Sequence, residues 1–117
     1  MTVYVDNMRA RLRPPRRRNV VYIMCHMIAD SDEELHAMAA RIGVARGYFQ
    51  AGHGGHYDIT LRRRAAAIAA GAVEITWRQC AIMCARREAT GSLGSPSDSL
   101  RWFGDAYARN AHKLGQK

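Results

Sequence analysis

The chain has 117 residues, a formal net charge of +8, 48% hydrophobic residues and 24% charged ones. That is the size of one domain with a real core, and too apolar a composition for a disordered chain. No apolar run approaches the ~20 residues a membrane-spanning helix requires, and the opening MTVYVD lacks the regions of a secretory signal, so a soluble cytoplasmic protein without a membrane partner is expected.

The charge is unevenly placed. Residues 9–18, RARLRPPRRR, hold six arginines and no acid, which leaves the rest of the chain only +2. Clustered arginine favours phosphate or another anionic partner through counterion release; the plainer reading is a solvated loop. The three cysteines, Cys25, Cys80 and Cys84, form no CxxC pair. A disulfide framework is not expected in such a chain, and four-cysteine zinc is excluded by the count. Cys25 reads as an inert core thiol, and Cys80 and Cys84, spaced for one helix face, as small core residues.

In chain order, Thr2 to Asp6 reads as a short strand with Asp6 at its carboxyl end. The Arg/Pro-rich stretch 9–19 follows as a connection, since Pro14 and Pro15 deny it regular structure. Val20, Val21, Ile23 and Met24 form a β-branched apolar run, expected as a strand covered on both faces. It would deliver Cys25, His26, Asp30 and Asp32 to one edge of the fold, just before a helix opened by Ser31 with Glu34 as a capping box. Leu35, Met38, Ala39 and Ile42 make that helix's apolar stripe, and Gly43 its stop.

Residues 44–55 are irregular, with Tyr48 and Phe49 as core anchors and a glycine loop at GHGGH. His56 to Ile59 reads as a strand whose alternation sends His56 and Asp58 to one face. Thr60 caps a helix from Leu61 to Gly71 with Leu61, Ala65, Ile68 and Ala69 on its packing side. Val73 to Thr76 is a further strand, and Thr76 with Gln79 opens a helix from Trp77 to about Arg87. Residues 89–99 have linker composition, and Leu100, Phe103, Tyr107 and Leu114 mark a last amphipathic helix. The expectation is a small α/β domain over residues 1–88, a short mostly buried sheet in the order β-β-α-β-α-β-α, followed by a linker and a C-terminal helix over 100–115.

A strand's carboxyl end followed by a helix N-terminus is where open α/β proteins place ligands. The polar residues near such positions are Asp6, His26, Asp30, His36, His53, His56 and Asp58, with Arg62 and Arg64 close in sequence. If the strands are neighbours, His26, His56 and Asp58 converge, with Asp6 orienting them. Two chemistries fit. Paired imidazoles serve as general base and acid near neutral pH; alternatively Asp6, His26, His56 and Asp58 suit a divalent metal ion that activates water. Arg62 and Arg64, with Arg16, Arg17 and Arg18, would hold phosphate. Each residue also has a structural reading: His36 as a helix-flank residue, His53 as a loop residue, Asp30 and Asp32 as capping groups, Arg62 to Arg64 as a solvated face.

These pieces resemble a small family of bacterial and phage proteins catalogued as domain of unknown function 4031. The matching segments are MTVYVDNMR, CHMIAD from Cys25, EELHAMAARIGVAR from Glu33, HYDIT from His56 and RRRAAAIAAGAVEIT, covering about residues 1–79. The resemblance implies that Asp6, His26, Asp30, His36, His56 and Asp58 stand at motif positions; His53 lies outside the motif, and the tail after Glu88 has no counterpart. No activity comes with it. The residues point to a phosphoesterase- or nuclease-like enzyme, or a nucleotide-binding domain. The alternative is a non-catalytic factor that binds nucleic acid or a host protein through its basic segment, and a homodimer through the last helix is a third possibility.

Overall fold

A computed structural model describes residues 2–115, apart from the side chains of 53 and 111–115. The elements are β1 (Val3–Val5), β2 (Ala10–Leu12), β3 (Tyr22–Ala29), α1 (Asp32–Arg41), β4 (Tyr57–Thr60), α2 (Leu61–Ala69), β5 (Val73–Glu74), α3 (Trp77–Thr90) and α4 (Ser99–Gly115). The protein is a small α/β fold around a mixed five-stranded sheet.

Strand β3 is the spine. One of its edges pairs antiparallel with β1 (Val5 opposite Met27) and then with β2 (Ala10 opposite Met24); the other pairs with β4 (His26 opposite Asp58). β5 closes the far side, parallel to β1. The arm formed by β1 and β2 is broken by a bulge. Asp6 donates its N–H to the His26 carbonyl at 3.0 Å, and pairing resumes only at Ala10 opposite Met24, so Asn7, Met8 and Arg9 face Cys25 alone. Arg9 turns the chain back with φ +54°, a left-handed conformation that one class of bulge uses.

Alternation along the strands divides the core. Val3, Val5, Met27, Ala29, Tyr57 and Ile59 pack under α1 and α2 against Leu35, Ala39, Ile42 and Ala67. Tyr4 and Ile28 face the other way, under α3, with Ile75, Cys80, Met83 and Leu93. The helix ends follow their local sequence. Ser31 Oγ accepts the Glu34 N–H at 3.2 Å, Thr60 Oγ1 the Arg63 N–H at 3.3 Å, and Thr76 with Gln79 forms a complete capping box. At Ser31 the box is half made, because no Glu34 side-chain bond returns to the cap.

Five expectations change. Tyr48, expected with Phe49 as a core anchor, is 69% exposed, and only Phe49 of the two packs against the core. The buried part of β3 is Cys25 to Ala29 rather than Val20 to Met24, and Val21 is exposed, because both faces are covered only at that end. His26 therefore sits within the strand, between two neighbouring chains, not at its end. The arginine segment is not wholly irregular: Ala10 to Leu12 continue the ladder beyond the bulge, adding a strand to the expected order, and the stretch with Pro14 and Pro15 is a hydrogen-bonded turn. The packing side of α2 is Arg64, Ala67 and Ile68, while Leu61, Ala65 and Ala69 are exposed; the guanidinium of Arg64 is drawn inward to a backbone carbonyl. Helix α3 runs past Arg87 to Thr90, where Gly91 at φ +86° ends it. Beyond it Leu93 is buried against α3's cluster, and Arg86 bonds Asp98 at 3.0 Å.

Leu35 is fully buried between α1 and the sheet. Leu35→Ala should cost about 2–5 kcal/mol of stability, measured by chemical denaturation; a cost below about 1 kcal/mol would contradict this packing.

Candidate metal centre

The site begins at the bulge. Where β1 leaves the ladder, the Asp6 carboxylate replaces the missing backbone acceptor. Its Oδ1 accepts the His26 N–H at 2.7 Å and the Met8 N–H at 3.2 Å, and its Oδ2 lies 2.8 Å from His26 Nδ1. The Asp6 carbonyl, released from the ladder, accepts Arg64 Nε at 2.7 Å. The carboxylate is wholly buried. Burial alone pushes its pKa up, but the bonds from the His26 ring and from the His26 and Met8 amides, with the His26 charge, hold it below the ordinary value. The hydrogen bond to Asp6 raises the His26 pKa; burial opposes it, and the charges of Asp6, Asp58 and Cys84 add to it.

With Nδ1 directed at Asp6, the other ring nitrogen of His26 faces β4. Asp58 stands directly opposite on that strand, and its Oδ1 lies 3.6 Å from His26 Nε2 and 3.7 Å from His56 Nε2. The two imidazoles meet edge to face with centroids 5.2 Å apart. Gln50, bridged to His56 through the backbone, donates its Nε2 to Asp58 Oδ2 at 2.7 Å. Asp58 Oδ1 is left buried without a hydrogen bond. Among the described residues the other such oxygen, Glu34 Oε2, belongs to α1.

These spacings are too long for hydrogen bonds and suit something else. Donors bound at 2.0–2.2 Å to a tetrahedral divalent ion lie about 3.4 Å from one another. One donor atom from each of His26, His56 and Asp58 falls within 4.8 Å of the others. Asp6, His26 and Cys80 form a second such group, but there the Asp6 oxygen is already bonded to the ring at 2.8 Å.

His26 and His56 open on a cavity of about 320 Å³ beneath α3, lined also by Ile28, Trp77, Cys84 and Glu88. The three thiols are free. Cys84 is half-buried; a hydrogen bond from Cys80 favours its thiolate, burial opposes this, and the His26 and Arg87 charges help it below its ordinary value, while the same bond and then burial push Cys80 up. Arg87 clamps the glycine loop, donating to the Gly54 carbonyl at 2.6 Å and to Asp32 Oδ1 at 2.8 Å.

The structure thus gathers Asp6, His26, His56 and Asp58 and leaves other candidates elsewhere. Asp30 accepts the Thr2 N–H at 2.9 Å and ties down the start of β1. His36 bonds Tyr57 Oη at 2.7 Å among the aromatics under α1. The side chain of His53 lies outside the described residues. Arg62 is exposed on the first turn of α2, and Arg64 holds the Asp6 carbonyl and Glu74 at 3.1 Å. Arg16, Arg17 and Arg18 are exposed in the turn between β2 and β3, at least ~13 Å along β3 from His26 by strand rise. Sequence reasoning passed over Gln50, Cys84 and Arg87. The Cys80/Cys84 spacing signalled one helix face, but not that this face covers a histidine; nothing local marked Gln50.

Because the folded His26 pKa lies above its ordinary 6.5, its bond to Asp6 stabilises fully below that pH and is lost as pH rises through the raised value. The lowered Asp6 contributes above its ordinary 3.8 and is lost as pH falls through its folded value. In chelator-treated protein the melting temperature should therefore fall as pH rises through the raised His26 value, and Asp6→Asn should flatten that fall while destabilising by about 1–3 kcal/mol. An unchanged pH slope in the variant would refute the pairing.

Residues 3–87 match the family described as Protein of unknown function (DUF4031). No curated protein and no solved structure matches the chain. The match runs beyond the motif-bearing segments ending at residue 79, and it takes in every side chain of the cluster together with Cys84 and Arg87, leaving α4 outside. The chain belongs to the DUF4031 family.

Proposed function

We propose that the protein is a small divalent-metal-dependent hydrolase acting on phosphate-containing substrates, a nucleotide or nucleic acid, with His26, His56 and Asp58 holding the ion. The observation that carries this reading is Asp58 Oδ1, buried without a hydrogen bond between two imidazole nitrogens at 3.6 and 3.7 Å. A buried carboxylate oxygen left unpaired is costly, and a cation between the three donors removes the cost. Two imidazoles and a carboxylate suit zinc, manganese or iron, and three protein ligands leave positions open.

A divalent ion there supplies Lewis acidity, lowering the pKa of a neighbouring water and polarising a phosphoryl oxygen. The chain's own residues do the rest. Asp6 fixes the His26 ring so that Nε2 presents its lone pair to the cluster, and Gln50 occupies Asp58 Oδ2 so that Oδ1 faces inward. Helix α3 shields one side from bulk water, and Glu88 places a carboxylate on the cavity wall for proton transfer. The net charge of +8 concentrates polyanions around the molecule.

A second reading, a non-catalytic binding protein, draws on the exposed apolar side of α4, where Leu100, Phe103 and Tyr107 are 55%, 46% and 69% exposed. Host-protein binding or self-association through α4, indifferent to His26, belongs to that reading.

Titration calorimetry of chelator-treated protein with zinc or manganese decides between them. One ion should bind per chain, His56→Ala and Asp58→Asn should abolish binding, and Gln50→Ala should weaken it about 10- to 100-fold. Hydrolysis of a chromogenic phosphodiester should stop with chelator and return with the ion. Metal affinity untouched by His56→Ala and Asp58→Asn would overturn the proposal.

A further inference from the structure

The sheet face that carries His26 is covered over only part of its length. By register, Leu12, Tyr22, Met24 and Thr60 share that face with His26 and Asp58. Helix α3 packs on the Tyr4 and Ile28 end. The other end lies open in a groove of about 690 Å³, walled by Leu12, Pro14, Pro15, Tyr22, Met24 and Tyr48. Tyr48 is 69% exposed and Leu12 47%. Large apolar and aromatic side chains in solvent beside a concave wall are what a binding surface presents.

Two further features select the occupant. Asp58 lines this groove, while its partners His26 and His56 line the cavity under α3, so the cluster stands where the two spaces meet. The groove's outer wall is the turn between β2 and β3, which also carries the exposed Arg13, Arg16, Arg17 and Arg18. Arg13 bonds the Arg18 carbonyl at 2.8 Å across that turn, drawing its two arms together. Among the described residues that line the wall, the only carboxylate is Asp58. An apolar, aromatic floor with a cationic rim complements a chain of flat bases joined by phosphates.

We propose that the groove binds single-stranded nucleic acid, stacking bases on Tyr48 and Tyr22 and taking the backbone phosphates on Arg16, Arg17 and Arg18, so that a phosphodiester passes Asp58. Stacking is tolerant of sequence, because every base has a π face, whereas a duplex hides those faces. The arginines, set apart from the cluster, thereby acquire a role as the strand's anchor rather than as contacts to the reacting phosphate. This rests on the phosphate-substrate reading above, but the groove's binding does not need the ion.

The experiment is fluorescence anisotropy of a labelled single-stranded DNA of about ten nucleotides, titrated with the full chain in chelator. The strand should bind more tightly than a duplex of the same length and far more tightly than a mononucleotide. Tyr48→Ala should weaken binding about 5- to 100-fold; Tyr48 is exposed, so the fold should survive. Replacing Arg16, Arg17 and Arg18 by alanine should weaken binding and reduce its salt dependence by about two to three units of log–log slope. Binding unaffected by Tyr48→Ala and by the arginine variant, or equal for strand and duplex, would overturn the groove assignment while leaving the metal centre standing. Retained strand binding in a protein that takes up no ion would sink the hydrolase reading alone.

Discussion

The arrangement depends on one buried carboxylate. Asp6 sits where β1 parts from β3, and its two oxygens do what the missing ladder carbonyl would have done and more: one accepts two backbone N–H groups, the other holds the His26 ring. Removing an ionised carboxylate from water is expensive, and only several directed donors make it tolerable. The same residue therefore ends a strand, pins a bulge and sets an imidazole tautomer. Its carbonyl, bonded to Arg64, joins the bulge to α2. An aspartate that served only to orient a histidine would not need to be threaded through the backbone in this way.

From that point the two faces of the sheet take on different work. The face under α1 and α2 is apolar and closed, with Tyr57, Met27, Leu35 and Ile59 almost wholly buried. His36 there is bound into the packing by its hydrogen bond to Tyr57. The opposite face is sealed by α3 at one end and open at the other, and the His26, His56 and Asp58 cluster lies at the boundary. A chain of this size has little surplus stability; the closed face supplies it so that the other can hold unpaired polar atoms and exposed aromatics.

Much of the fold was legible because its signals are local. Ser31, Thr60 and Thr76 act as caps on the N–H groups of their own helices, and an α/β class followed from alternating strand and helix periods. The site was legible in part. Strand alternation alone places His56 and Asp58 on one face, but that His26 stands opposite Asp58 is a matter of register between segments some thirty residues apart, which no local pattern fixes. The bulge was invisible for the same reason: it exists only relative to β3. So was β2, whose arginines and following prolines read as a loop until a partner strand gives their backbone groups somewhere to bond. Gln50 carries no motif at all and reaches Asp58 because its backbone bridges to His56.

The proposed divalent ion lies between the two imidazoles and the carboxylate. The most direct measurement is anomalous diffraction from crystals of the protein loaded with zinc, recorded on both sides of the metal's absorption edge. One strong peak is expected, bonded to His26 Nε2, a nitrogen of His56 and Asp58 Oδ1 at about 2.0–2.2 Å. A peak elsewhere, or an empty cluster in which Asp58 Oδ1 has closed to hydrogen-bonding distance of a histidine, would contradict it.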